Sequence, residues 1–370
     1  MSASGAAPGS LAAYRPELRP RVLLSDALLD GAATVHLIKD AETGNSFKVG
    51  AKEHFLIARM DGGRSLAEIG EAYAGEYGRR LADAHWQQLL TLLGTKGLLA
   101  GAPAPKAPAA EPEKRTLLRG TLPLVADADA TTARLHRAVG FLLAPWATVP
   151  LLVLILAMEV VVVARSGELL LAVRELFGNP VLLTGTAVLL WVSTALHELA
   201  HGVVARHHGG RVAEIGLRWR LPAVIMYCTV DDYLYFGSRR HRIATAAAGA
   251  VMNLLFLLPF CALWLFAPLD SATHEAFAAL LLLGSVQAFA MLVPLPPLDG
   301  YRIAGQLAGA TGLAASAGAY LRLALRRAPE AAAYPRRARI AYPAYVSVTV
   351  LVLALVVALV VAAAHHLLTA

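Results

Sequence analysis

Five long apolar runs occupy the chain from residue 139 onward, at residues 139–164, 181–205, 243–266, 276–293 and 345–364. Each can cross a hydrocarbon layer of about 30 Å as a helix rising about 1.5 Å per residue. A sixth stretch, 303–325, is rich in small residues and fits either a helix packed into the bundle or one lying at the interface. Before residue 139 the period changes. Residues 34–39 alternate as a strand, 40–44 read as a turn and 45–50 as a second strand. Residues 51–60 form a short amphipathic helix closed by Asp61-Gly62-Gly63. Ser65 and Glu68 have the capping-box spacing for a second helix ending near Gly78. Asp83 suits the cap of a third, whose Trp86, Leu89, Leu90 and Leu93 share a face.

This pattern divides the chain into four parts. Residues 1–32 predict a flexible lead-in, with 14–24 packing on the neighbouring domain. Residues 33–100 form a small α+β domain, 101–138 a Pro/Ala linker and a membrane-surface segment, and 139–370 a polytopic α-helical membrane domain of five to six spans.

Composition agrees with a membrane protein carrying a soluble part: 370 residues, 57% hydrophobic, 16% charged, mean hydropathy +0.56. Two cysteines, Cys228 and Cys261, neither in a CxxC pair, exclude a disulfide framework. No apolar run precedes residue 139, so no signal peptide is expected. Heavy use of Ala, Leu and Arg suits a bacterium with GC-rich DNA. The net charge of +7 is local: residues 206–242 and 302–342 carry seven Arg each, against three and one acidic residues. Basic loops beside apolar spans follow the positive-inside rule. They place those loops and the N-terminal domain in the cytosol of a plasma membrane, and nucleic acid is not an expected partner.

The chemistry lies in the second run, where His197, Glu198 and His201 spell H-E-x-x-H. On a helix, positions i and i+4 share a face, so both imidazoles can reach one metal, with Glu198 beside the metal-bound water as general base. The surroundings are almost wholly apolar. An ionisable residue there costs about 2.5 kcal/mol or more unless paired or metal-bound. A zinc site needs a third protein ligand. Asp299, in Val-Pro-Leu-Pro-Pro-Leu-Asp-Gly at the inner end of the fourth run, is the candidate at matching depth; it equally suits a helix N-cap after a proline turn.

HELAH in one membrane helix and P-x-P-P-L-D-G at the end of a later one resemble the site-2 protease (M50) family of intramembrane zinc metallopeptidases. The resemblance covers roughly residues 180–315. It implies that His197, His201 and Asp299 bind Zn2+, that Glu198 is the base, and that the membrane domain has the site-2 protease core. Residues 246–255 resemble the family's A-G-P-x-x-N helix, which implies a place for Asn253 near the site; its amide either donates to an oxyanion or ties two helices together. Ala250 stands where the family has proline, and Met291 where an asparagine is common. The family also places an edge strand near the zinc, here 224–230, making Val224, Ile225, Met226 and Tyr227 the expected substrate-binding residues. His207 and His208 are expected at the interface, and Glu159 near the outer headgroups.

Residues 33–100 resemble the PqqD-like domain at Phe47, Phe55, Leu56, Asp61-Gly62, Leu66, Ile69 and the run 89–99. This implies a winged-helix-like module that binds a leader peptide as an added strand; a regulatory module without a peptide ligand is the other reading. Together the two resemblances imply a peptide zinc metallopeptidase of modified-peptide biosynthesis. Its partners would be a leader-peptide substrate and the lipid bilayer, with modifying enzymes or an exporter beside them. Regulated proteolysis of a membrane-anchored signalling protein, and a non-catalytic peptide-docking scaffold, are the alternatives.

Overall fold

The computed structural model describes residues 11–101, 116–221 and 223–369. The chain divides into two compact units, one of residues up to 111 with 329–338, the other of the remainder. Apart from Gly101, the expected Pro/Ala linker lies outside the described residues.

In the first unit the strands β1 (Val22–Leu24), β2 (Leu28–Asp30), β3 (Ala33–Asp40) and β4 (Ser46–Gly50) precede the helices α1 (Ala51–Ile57), α2 (Leu66–Tyr77) and α3 (Asp83–Thr95). The sheet is antiparallel. β3 is its centre, with β4 along one side and β1 and β2 along the two halves of the other. Two of these strands lie within the stretch expected to be a flexible lead-in. Leu28 and Leu29 explain why, since both are buried. Ile38, Leu56, Ile57, Leu66, Ile69, Tyr73, Trp86 and Leu93 form the core between sheet and helices. The capping box at Ser65 is made: Ser65 Oγ accepts from Glu68 N, and Glu68 Oε2 accepts from Ser65 N at 2.7 Å. Asp83 differs from expectation. Ala82 is the N-cap of α3 and no side chain caps it, so Asp83 serves as a first-turn acid.

The second unit begins with β5 (Arg119–Pro123) and α4 (Ala128–Val139). Helices α5 (Pro145–Ala164), α6 (Ser166–Leu176) and α7 (Pro180–His207) come next, then the hairpin β6 (Arg211–Arg220) and β7 (Ala223–Asp231). Helices α8 (Arg239–Phe266), α9 (Ser271–Met291), α10 (Asp299–Ala308), α11 (Leu313–Leu325) and α12 (Arg336–Thr369) complete it. Five of them, α5, α7, α8, α9 and α12, are long and apolar enough to cross a membrane, and the chain is a multi-pass membrane protein. Residues 303–325 do not add a sixth. Gly309 and Gly312, at φ +60° and +58°, break that stretch into α10 and α11, neither of which has spanning length.

The segment expected at the membrane surface is more ordered than its composition suggests. β5 pairs antiparallel with β6, giving a three-stranded sheet in the order β5-β6-β7 with β7 at an edge. The helical core is dense where side chains are small. Ala276, Ala278 and Ala279 of α9 let Leu254, Leu257 and Trp264 of α8 and Leu169 and Leu176 of α6 pack closely. In contrast, α12 exposes Val350, Leu351, Val357 and Val360, as a helix bathed in hydrocarbon requires.

Replacing Ser65 with alanine removes half of the reciprocal cap and is expected to weaken α2 by about 1 kcal/mol. Hydrogen exchange of peptides covering 66–77 should then run about fivefold faster, with the membrane helices unchanged. Unaltered exchange would show that the cap does not hold this helix.

Candidate metal centre

Asn179 starts α7 by accepting from Val181 N and Leu182 N, and the helix then runs unbroken for 28 residues through the histidine motif. α8 lies antiparallel against it in a fixed register. His201 Nδ1 donates to Thr245 O at 2.7 Å, the His197 ring lies on Gly249, and Ser193 Oγ donates to Asn253 Oδ1 at 3.1 Å. Each step moves four residues back on α7 and four forward on α8, so one face of each helix makes all three contacts. Gly249 is required by the middle step. A Cβ there would stand 2.4 Å from His197 Nε2.

The third ligand arrives by a different route. After α9 the prolines of 294–297 prevent helix, and the Pro296–Pro297 peptide is cis. Tyr345 on α12 donates to Pro294 O at 2.9 Å. Leu298 is the N-cap of α10, so Asp299 is the first helical residue and its carboxylate turns toward the histidines instead of capping. Gly300 permits that turn: a Cβ on it would meet Leu292 O at 2.0 Å. At the far end of α10, Gln306 accepts from the buried Arg242 of α8 at 2.7 Å, which fixes α10 against the same helix that backs His197 and His201.

The three groups converge. His197 Nε2 and His201 Nε2 are 3.2 Å apart, and Asp299 Oδ2 is 3.0 Å from the first and 3.2 Å from the second. All three residues are buried. Two ligands about 2.05 Å from a tetrahedral Zn2+ stand about 3.3 Å apart, so this triangle fits one face of such a site. The tautomer of His201 is set as well. Its Nδ1 proton is held by Thr245 O, which leaves Nε2 with a lone pair facing the centre. His197 Nδ1 is buried without a hydrogen-bond partner among the described residues. Three lone-pair donors at this spacing repel one another unless a cation or protons lie between them, and the residues present fit a metal ion.

Glu198 is half-buried beside this triangle, and its Oε2 accepts from Cys228 N of β7 at 3.0 Å. The carboxylate is therefore oriented by the edge strand. Cys228 itself is no candidate nucleophile: burial, then the charge of Glu198, pushes its thiol up to about 12. Asn253 Nδ2 is buried and without a partner among the described residues, because its amide oxygen takes the Ser193 bond. A free amide donor thus lies one helical turn, about 6 Å, from the His197 level.

Residues 185–281 match the model of Peptidase family M50. The match holds His197, Glu198, His201 and Asn253 and stops before Asp299. It supports the site-2 protease family for this part of the chain, whose members are intramembrane metallopeptidases and in general zinc-dependent. No curated protein and no solved structure matches the chain.

Other expectations fare differently. Val224, Ile225, Met226 and Tyr227 all lie in β7, Val224 and Ile225 exposed. The Tyr227 hydroxyl donates to Glu214 of β6, so that side chain is engaged within the hairpin. Glu159 of α5 accepts from Ser285 of α9 at 2.8 Å and is half-buried. Contacts invisible in the motif, above all Thr245 O and Gly249, came from the M50-type small-residue stretch 245–250, whose spacing of four matches that of the histidines.

Gly249→Ala should displace the His197 ring while leaving the helices formed. The expected result is loss of bound zinc in the purified protein and at least about a hundredfold loss of any peptidase activity, at unchanged circular dichroism. Full zinc occupancy in this variant would mean that the α7–α8 approach does not shape the centre.

Proposed function

We propose that the chain is a membrane-embedded zinc endopeptidase that cuts an extended peptide near the cytosolic face of a bacterial plasma membrane. The observation that carries this reading is the buried His197–His201–Asp299 triangle, with Glu198 held between it and the edge of β7. His197, His201 and Asp299 would hold Zn2+, which when bound acidifies a water toward a pKa of about 7 and polarises a carbonyl. Glu198 takes the proton of the attacking water and returns it to the leaving amine. Asn253 Nδ2 is the donor available to a developing oxyanion.

The substrate must be extended, because a peptide bond inside a helix is closed to attack. β7 supplies the template. Cys228 N points at Glu198 and hence away from β6, and with a period of two Val224 and Met226 direct their own N–H groups along the same outer edge. A peptide added there would pass the base in strand conformation.

We further propose that the N-terminal unit is PqqD-like and captures the leader of a ribosomally made peptide, which the membrane site then severs from its core. Support comes from its antiparallel sheet, in which β4 is an edge strand open to strand addition.

The test is co-expression with a candidate precursor and measurement of the peptide's mass. Wild type should yield a truncated peptide, and Glu198→Gln an intact one with zinc still bound. An intact peptide from wild type, with a membrane-anchored protein cut instead, would replace the leader peptidase by a signalling protease. Deleting residues 1–100 should abolish precursor binding; unchanged binding and cleavage would remove the leader-capture step. Met226→Pro deletes one outward N–H without touching the β6 ladder and should lower cleavage at least about tenfold. Undiminished cleavage would dismiss β7 as the substrate strand.

A further inference from the structure

Four histidines meet outside the centre, at the junction of α4, the end of α7 and the start of α8. His136 Nε2 and His207 Nδ1 are 3.2 Å apart. The His207 and His208 rings are 5.1 Å apart between centroids, and His208 stacks on His241 at 4.0 Å with 4° between planes. None of these residues belongs to the triangle. His207 lies six residues beyond His201 on the same helix, about 9 Å along its axis.

The His136–His207 separation is the one that His197 and His201 keep in the buried centre, and it is close to the edge of a zinc tetrahedron. A simple imidazole–imidazole hydrogen bond would account for the distance alone. The placement of the pair says more. Arg206 Nη1 binds both Asp129 oxygens at 2.9 Å, and Asp129 also accepts from Val212 N, so α4 is fixed across the end of α7. The two imidazoles are thus brought together by a rigid crossing of two helices, as chelating ligands must be. The carboxylate at this crossing, Asp129, is already paired with Arg206, and Arg134 and Arg137 are near His136 in sequence, so little general attraction for cations operates here. Affinity has to come from nitrogen ligation, which favours zinc, copper or nickel over magnesium or calcium.

We propose that His136 and His207 form a second, peripheral transition-metal site, completed by water, which selects a zinc-class ion. With two imidazoles and open positions, this site binds more weakly than the buried centre. An ion there links α4 to α7 at the end of the helix that carries His197 and His201.

The experiment uses the full chain in detergent, stripped with chelator and dialysed against graded free Zn2+, with bound zinc counted by elemental mass spectrometry. Wild type should bind two equivalents, the weaker one lost in His136→Ala and His207→Ala and kept in the control His365→Ala/His366→Ala. Footprinting of the unmutated protein with a histidine acylating reagent guards against a folding defect. The second equivalent should protect His136 and His207 from modification. Saturation at one equivalent, retention of the second in both alanine variants, or unchanged acylation of the pair would overturn the site.

Discussion

The close antiparallel approach of α7 and α8 is the constraint on which the rest depends. Two imidazoles in an apolar helix are costly unless their nitrogens are satisfied, and α8 offers few means of doing so. Thr245 supplies a backbone carbonyl that its own helix leaves accessible, Gly249 supplies room, and Asn253 takes the hydroxyl of Ser193. Because these residues recur every fourth position, a shift of one residue would break all three contacts together. The register of two helices and the geometry of the site are therefore one property.

Asp299 shows how a ligand is brought to such a pair without a third straight helix. Prolines end α9, Gly300 allows the chain to fold back on Leu292, and α10 begins with its carboxylate already aimed at the histidines. Both sides of this turn are anchored. Tyr345 holds the proline segment, and Arg242 reaches Gln306 and the Phe236 carbonyl, tying α10 to the loop that leads from β7 into α8. A buried guanidinium with several hydrogen bonds is a rigid anchor, since losing any partner leaves its charge unsatisfied.

Much of this was legible in sequence where one signal sufficed. The five spans and the Ser65–Glu68 cap each rest on a local pattern and are found in the fold, and the motif of α7 and Asp299, each picked out by a local pattern, are brought together. Misreadings occurred where composition masked pairing. Residues 22–30 look like a loose lead-in because β1 and β2 have three residues each, too few to show alternation, and only β3 gives them partners. Asp83 suited a cap, yet the backbone placed Ala82 there. The hydrogen bond from Ser285 to Glu159 was not legible either, since its partners lie 126 residues apart. The stretch 303–325 was ambiguous by hydropathy, and the left-handed glycines that divide it act through backbone geometry that hydropathy does not register.

The link between Cys228 and Glu198 bears on how such a site could choose its moment of action. The carboxylate that must handle protons takes a hydrogen bond from the strand proposed to carry the substrate. Any movement of β7 thus moves or releases the base. β6 and β5 brace that strand from behind, and α4, through Asp129, binds both Arg206 of α7 and the start of β6. A peptide adding to the outer edge of β7 would stiffen a sheet already fixed to the ligand helix on its other side. Substrate docking and orientation of Glu198 then become the same mechanical event. Extended chain at that edge would meet a base that Cys228 already holds in place.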